Sequence, residues 1–166
     1  MVPNFTGRQR ECKKVIDRLT SESTRMVSIW GSPGFGKTSV AIAVGHELES
    51  QGLPVYFISL RGVESKEDLT SKLLSFVRQT VTTDQSSVQR LSLDDELCQI
   101  STGIPDRCVF ILDYADDLLE SGLPKVKEGV MQLLEEILGR NEKTTSIVTT
   151  RESFEFMTLH SKATSL

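Results

Sequence analysis

The chain has 166 residues, 38% of them hydrophobic, and a formal net charge of −4, which suits one globular domain with a core of its own. An acidic balance lacks the broad positive footprint used to bind a phosphate backbone, so nucleic acid is not an expected partner, although a local basic patch stays open. With no apolar run of about 18 residues and no charged-then-apolar leader, the expected location is cytoplasmic, away from membranes.

Thr6 followed by Gln9 has capping-box form, and Cys12, Val15, Ile16 and Leu19 repeat at helical spacing, predicting a helix from Gly7 to Leu19. Met26-Val27-Ser28-Ile29-Trp30 is long enough for a buried strand, and Thr38 to Glu49 carries Val40, Val44 and Leu48 on a second helix. Val55 to Ile58 reads as a strand. Ser65 and Asp68 then cap a helix whose stripe is Leu69, Leu73, Phe76 and Val77. Thr82 to Ser87 is a polar loop, and Ser92 with Asp95 opens a short helix through Ile100. Val109-Phe110-Ile111-Leu112 is the most hydrophobic strand. Val126, Val130, Leu133, Leu134 and Ile137 mark a helix stopped by Gly139, Ser146 to Thr149 is a strand, and a weak last strand falls within Phe156 to Lys162. Cys12, Cys98 and Cys108 are odd in number and lack metal-type spacing, so they read as reduced thiols, Cys108 buried at a strand entrance.

Between the first strand and its helix lies Gly31-Ser32-Pro33-Gly34-Phe35-Gly36-Lys37-Thr38, with Ser39 following, a complete G-x-x-x-x-G-K-[ST] loop. Gly31, Gly34 and Gly36 permit positive φ and turn successive N–H groups inward, making a nest on the positive end of the helix. Lys37 is placed to reach β- and γ-phosphate oxygens, and Thr38 to ligate Mg²⁺. Repeated βα units with continuously apolar strands add the architecture: an α/β P-loop NTPase, three layers (αβα), with a mostly parallel sheet of four or five strands and right-handed crossovers.

Two further segments carry chemistry at strand ends. Asp113 closes the strand Val109 to Leu112 and points into the crevice where such a sheet binds its ligand, placed to hold Mg²⁺ through water. Asp116 and Asp117 lie one turn further on, where an acid can orient or deprotonate an attacking water; a solvated helix start is the competing reading. Thr149-Thr150-Arg151 ends the strand expected beside the nucleotide strand, and a guanidinium there can tell a triphosphate from a diphosphate. Arg61 reads as a loop cation and His46 as a solvated helix residue.

Together with Val2-Pro3-Asn4-Phe5-Thr6-Gly7-Arg8, these segments resemble the STAND signalling ATPases, whose NB-ARC and NACHT nucleotide-binding domains occur in immune and cell-death receptors. The resemblance implies that Phe5, Gly7 and Arg8 approach the adenine base, that Gly31 to Thr38 is the Walker A motif, and that Leu112 to Leu118 is similar to a NACHT-type Walker B. It also implies that Arg151 senses the γ-phosphate. The implied cofactors are ATP or ADP with Mg²⁺. The implied mechanism is a switch in which ADP holds a closed state, ATP favours an open one that assembles into a homo-oligomer, and slow hydrolysis resets it. Tyr114 departs from the NB-ARC pattern, where a second acid commonly follows Asp113. The expected organisation is residues 1–20 packing on a core of residues 21–166, the nucleotide-binding part of a larger protein with effector and repeat domains.

Three other readings compete. A GTPase is disfavoured, since no N-K-x-D or T-K-x-D motif occurs. An AAA+ or origin-recognition-type ATPase shares the Gly-Arg opening and the Walker motifs. A non-catalytic scaffold would keep the fold, and intact Lys37, Thr38 and Asp113 argue against lost binding but not against lost catalysis.

Overall fold

The computed structural model describes residues 7–20, 24–80, 98, 102–105, 107–116, 135, 143–151 and 161–165. In chain order these form α1 (Gln9–Thr20), β1 (Met26–Trp30), α2 (Lys37–Ser50), β2 (Val55–Ser59), α3 (Lys66–Thr80), β3 (Val109–Asp113), β4 (Thr145–Thr150) and β5 (Ser161–Ser165). The strands make one parallel five-stranded sheet in the order β2-β3-β4-β1-β5. Parallel neighbours require crossovers, and α2 and α3 supply those from β1 to β2 and from β2 towards β3.

Apolar residues on both faces of the strands explain the layering. Val27 and Ile29 of β1, Val109 and Ile111 of β3 and Ile147 of β4 pack on one face against Val15 and Leu19 of α1 and Val40, Ala41, Val44 and Leu48 of α2. Met26, Ile58, Phe110, Leu112 and Val148 face the other way, against Leu69, Leu73 and Leu74 of α3. Side chains alternate along each strand, so continuous apolar runs bury both faces and give the αβα sandwich the sequence predicts. Helix α2 comes unusually near the sheet at Gly45, where an added Cβ would lie 2.8 Å from Ile111 Cδ1.

Local signals placed most elements to within a residue or two. Ser65 caps α3 as expected, its Oγ accepting the Asp68 N–H at 3.1 Å, while Asp68 Oδ2 accepts the Glu64 N–H at 3.4 Å. Cys108 is buried just before β3; burial pushes its thiol up from the ordinary 9.0, and contact with the Thr144 hydroxyl at 3.7 Å partly offsets this. Of the last strand expected within Phe156 to Lys162, Ser161 and Lys162 belong to β5, Ser161–Ser165, beside β1 at the sheet edge, and Phe156 to His160 lie outside the described residues. The composition of β5 is almost entirely polar, which an edge strand tolerates. The Thr6 cap, the Thr82 to Ser87 loop, the Ser92 to Ile100 helix apart from Cys98, and the Val126 to Ile137 helix apart from Glu135 lie outside the described residues. Among the described residues no helix is long and apolar enough to cross a membrane.

Candidate functional site

The carboxyl ends of β1, β3 and β4 are adjacent because β4 lies between β1 and β3. Trp30, the last residue of β1, pairs with Thr150, so the loop after β1 starts beside the end of β4. That loop needs left-handed backbone at two points, and glycine supplies both: Gly34 has φ 81° and Gly36 φ 76°. A turn closes between them as the Phe35 N–H donates to Ser32 O at 3.3 Å. Gly36 caps α2, its carbonyl accepting the Val40 N–H at 3.0 Å. The first N–H groups of a helix have no intrahelical acceptor and carry the positive end of its dipole, so the loop presents donors to an anion.

Lys37 curls back over this loop, its Nζ donating to Gly31 O at 2.6 Å and Ser32 O at 3.0 Å. An ammonium held on carbonyls at the loop's mouth places one mobile positive charge where an anionic ligand arrives. Ser32, Pro33, Gly34 and Phe35 form the exposed outer wall, Gly31 is buried beneath, and Ser39 is half-buried on the first turn of α2.

Asp113 is the hub. The Thr38 hydroxyl donates to its Oδ1 at 2.8 Å, and the Thr149 hydroxyl donates to the same oxygen at 2.6 Å. Thr149 Oγ1 in turn accepts the Tyr114 N–H at 2.9 Å, and its carbonyl accepts the Ala115 N–H at 3.0 Å. The backbone after β3 is thereby pinned to the end of β4, with Tyr114 at a positive φ of 65°.

Asp116 is buried at 4% exposure, unlike a solvated helix start. Its Oδ1 accepts the Arg151 backbone N–H at 2.5 Å and the Thr150 hydroxyl at 3.3 Å, and its Oδ2 lies 3.9 Å from Arg151 Nε. Arg151 also donates from a guanidinium nitrogen to the Tyr114 hydroxyl at 3.3 Å. The guanidinium of Arg61, from the loop after β2, sits 4.4 Å from the centroid of the Tyr114 ring.

The structure thus gathers Gly31 to Thr38, Asp113, Asp116 and Arg151 at one end of the sheet. Gly7 and Arg8 stand at the start of α1, the Arg8 carbonyl accepting the Cys12 N–H at 3.0 Å. Phe5 and Asp117 lie outside the described residues. Sequence reasoning gave Thr149 no role of its own and set Arg61 aside. The signal for Thr149 was available: it precedes a predicted sensor on a strand neighbouring Asp113, where a hydroxyl can reach the carboxylate. His46 is exposed on α2, its Nδ1 3.3 Å from Glu49 Oε2.

The donor set fits Mg²⁺. This ion favours one or two carboxylates completed by phosphate oxygens and water, and the Thr38 hydroxyl and the Asp113 carboxylate already converge within 2.8 Å. Among the described residues no cluster of three or more acidic, histidine or cysteine ligands forms an alternative centre.

A glycine loop leading into a helix, with an aspartate at the end of a strand one place removed in a parallel sheet, defines a P-loop nucleoside-triphosphatase fold. Residues 19–155 match the AAA domain family, and the chain belongs to that family. It is 28% identical over 161 residues to an uncharacterized WD repeat-containing protein of Nostoc sp. (strain PCC 7120), the alignment covering 89% of this chain and 13% of that protein. Its fold is similar to that of a chain of Drosophila ORC bound to DNA, with a TM-score of 0.65 and 15% identity over 98% of this chain and 42% of that one. It is also similar to Aeropyrum pernix ORC2, solved as ADPNP-ADP complexes, with a TM-score of 0.59 and 18% identity over 90% of this chain and 42% of that one. At such identities these two likenesses concern the fold. The chain spans 13% of the WD repeat-containing protein's length and 42% of each ORC chain.

Proposed function

We propose that this chain is the ATP- and ADP-binding module of a longer AAA-type ATPase and acts as a nucleotide-dependent switch. The observation that carries the reading is the single Asp113 oxygen shared by Thr38 of the glycine loop and Thr149 of the neighbouring strand. Family membership supports adenine nucleotide as the ligand, as does the ADPNP-ADP content of the ORC2 structure. In this reading the amides of Gly34 to Thr38 hold the phosphates, Lys37 leaves the Gly31 and Ser32 carbonyls for phosphate oxygens, and Thr38 with Asp113 holds Mg²⁺. When bound, the ion neutralises charge on the β- and γ-phosphates. Arg151 supplies the differential contact that separates ATP from ADP, and a ligand shifts an equilibrium only by such differential affinity. Gly7 and Arg8, with Phe5 before them, would bound the base. Residues 1–20 would pack on a core of residues 21–166, the packing of Val15 and Leu19 on α2 supporting that arrangement.

Turnover is proposed to be slow. Tyr114 follows Asp113 where a second acid would stand, and the contacts of Asp116 are with Arg151 and Thr150 rather than an open site.

Two settings for the switch differ in partner. Family membership and the fold shared with ORC support an initiator-type ATPase, which is the better supported of the two. The relative with WD repeats supports a STAND-type signalling protein with repeat domains, effector domains and a nucleotide-driven oligomer. The net charge of −4 argued against nucleic acid; with a DNA-bound ORC among the fold neighbours that exclusion does not hold, since a local patch is enough. ATP turnover measured with and without single- and double-stranded DNA separates the settings. Stimulation by DNA supports the initiator type. A rate indifferent to DNA, with ATP-dependent growth in particle size, supports the signalling type. A protein that binds neither ATP nor ADP defeats both.

A further inference from the structure

We infer that Tyr114 is a positioning residue for Arg151, so that discrimination between ATP and ADP depends on a tyrosine hydroxyl that does not itself touch the nucleotide. The inference rests on the proposed nucleotide-switch reading and deepens it.

Three observations converge on this side chain. First, Tyr114 holds a positive φ of 65°, a conformation that L side chains rarely adopt and that persists only where the surroundings over-determine it. The surroundings here are Thr149, which accepts the Tyr114 N–H on its hydroxyl and the Ala115 N–H on its carbonyl, and Asp113, whose carbonyl accepts the Leu60 N–H at 2.7 Å. Second, the Tyr114 hydroxyl accepts a hydrogen bond from the Arg151 guanidinium at 3.3 Å. Third, the Arg61 guanidinium lies over the ring at 4.4 Å from its centroid, so the ring is held from the β2 side by a cation on its π face.

An arginine has many rotamers, and a guanidinium that must be ordered as ligand binds loses affinity for that ordering. Asp116 anchors the near end of Arg151 through its backbone N–H and Nε. The Tyr114 hydroxyl adds support at a terminal nitrogen, further out than the contacts of Asp116, and restricts the orientation of the planar group. Planarity is what makes a guanidinium selective for a phosphate oxygen pair. The cation over the ring gives Arg61, a residue of the loop after β2, a role through Tyr114.

The test is a double-mutant cycle on the full chain, reading ATP and ADP dissociation constants with Mg²⁺ by calorimetry for the wild type, Tyr114→Phe, Arg151→Ala and the double variant. Phenylalanine keeps the ring under Arg61 and removes only the hydroxyl. The expected result is about a three- to tenfold loss of ATP affinity in Tyr114→Phe, the range for one hydrogen bond, with ADP affinity unchanged. In the Arg151→Ala background the same change is expected to have no effect on either nucleotide. Equal weakening of ATP and ADP by Tyr114→Phe overturns the inference, since a merely structural role predicts that. An undiminished effect without Arg151, or wild-type binding of both nucleotides by Tyr114→Phe, overturns it as well. An Arg151→Ala protein that keeps the wild-type ATP-to-ADP ratio, or a wild type that binds neither nucleotide, defeats the switch reading and the inference with it.

Discussion

The Thr38 hydroxyl and Asp113 Oδ1 lie 2.8 Å apart although 75 residues separate them in the chain. This contact joins the N-terminus of α2 to the end of β3 across the intervening strand β4, whose Thr149 donates to the same oxygen. An aspartate oxygen receiving two hydroxyls is held in one orientation, and the Thr38 hydroxyl can turn aside to leave room for a cation between it and the carboxylate. Thr38→Val, which keeps the shape and removes the hydroxyl, is expected to lower ATP affinity about tenfold in the presence of Mg²⁺ and little in EDTA. Isothermal titrations in the two buffers check this, and an equal loss in both would remove Thr38 from the metal site.

Lys37→Ala removes the ammonium seated on the Gly31 and Ser32 carbonyls. Charge-assisted hydrogen bonds contribute about 1.5–3 kcal/mol each, so nucleotide affinity should fall at least about tenfold to a hundredfold. The fold should survive, because Lys37 is half-buried and outside both apolar clusters. Circular dichroism melting beside the titration tells loss of binding from loss of structure.

The two kinds of glycine give opposite predictions about where damage falls. At Gly36 an added Cβ meets nothing within 4 Å, but φ is 76°, so Gly36→Ala strains the loop by about 1–2 kcal/mol and should weaken nucleotide binding more than it lowers the melting temperature. At Gly45 the helix would welcome alanine, by about 1 kcal/mol, yet the Cβ would stand 2.8 Å from Ile111 Cδ1. Overpacking of about 1–3 kcal/mol wins. Gly45→Ala should therefore lower the melting temperature with nucleotide affinity per folded molecule unchanged, and a more stable variant would contradict the close approach of α2 to the sheet.

Much of this site could be read before any coordinates, and the pattern of what could not is physical. The glycine loop, Asp113 and Arg151 announce themselves because phosphate chemistry restricts residue type and spacing, and β1 and β3 because burial on both faces demands unbroken apolar runs. Strand β5 left only a weak signal because Ser161 to Ser165 is almost entirely polar and pairs at a sheet edge, which leaves little hydropathic trace. The φ of Tyr114 was invisible because nothing in a tyrosine's chemistry foretells it; it goes with long-range contacts, the grip of Thr149 on the Tyr114 and Ala115 amides and the Leu60 N–H on the Asp113 carbonyl. Asp116 could be read as an acid near the reaction, but its partners are set by how β4 packs beside β3, a long-range fact.

Asp116→Ala tests that fact. It leaves the Thr150 hydroxyl and the Arg151 N–H without their buried acceptor, a loss of about 1–3 kcal/mol. Urea unfolding should show a lower midpoint with the slope unchanged, together with a reduced preference for ATP over ADP. Full retention of stability with turnover abolished would instead identify Asp116 as the acid that handles the water.

Alkaline pH should expose the buried thiol. A thiol is neutral when protonated, and burial raises Cys108 above the ordinary 9.0, so the folded protein binds this proton more tightly than the unfolded chain. Its contribution to stability is present in full below pH 9.0 and is lost as pH rises through the higher folded value. Cys12 and Tyr56 shift the same way, also chiefly by burial. Melting temperature followed upward from pH 9.0 should decline more steeply in the wild type than in Cys108→Val. A native thiol assay should label exposed Cys98 first and Cys108 only on unfolding; rapid labelling of Cys108 would contradict its burial.

The most direct test is calorimetric titration of the folded protein with ATP, ADP and GTP in the presence of Mg²⁺, repeated with Arg151→Ala. The account predicts saturable heat with both adenine nucleotides, weaker binding of GTP, and a selective loss of ATP affinity in the variant. Absence of heat with every nucleotide at about millimolar concentration, where even an affinity of about −4 kcal/mol would register, would contradict it.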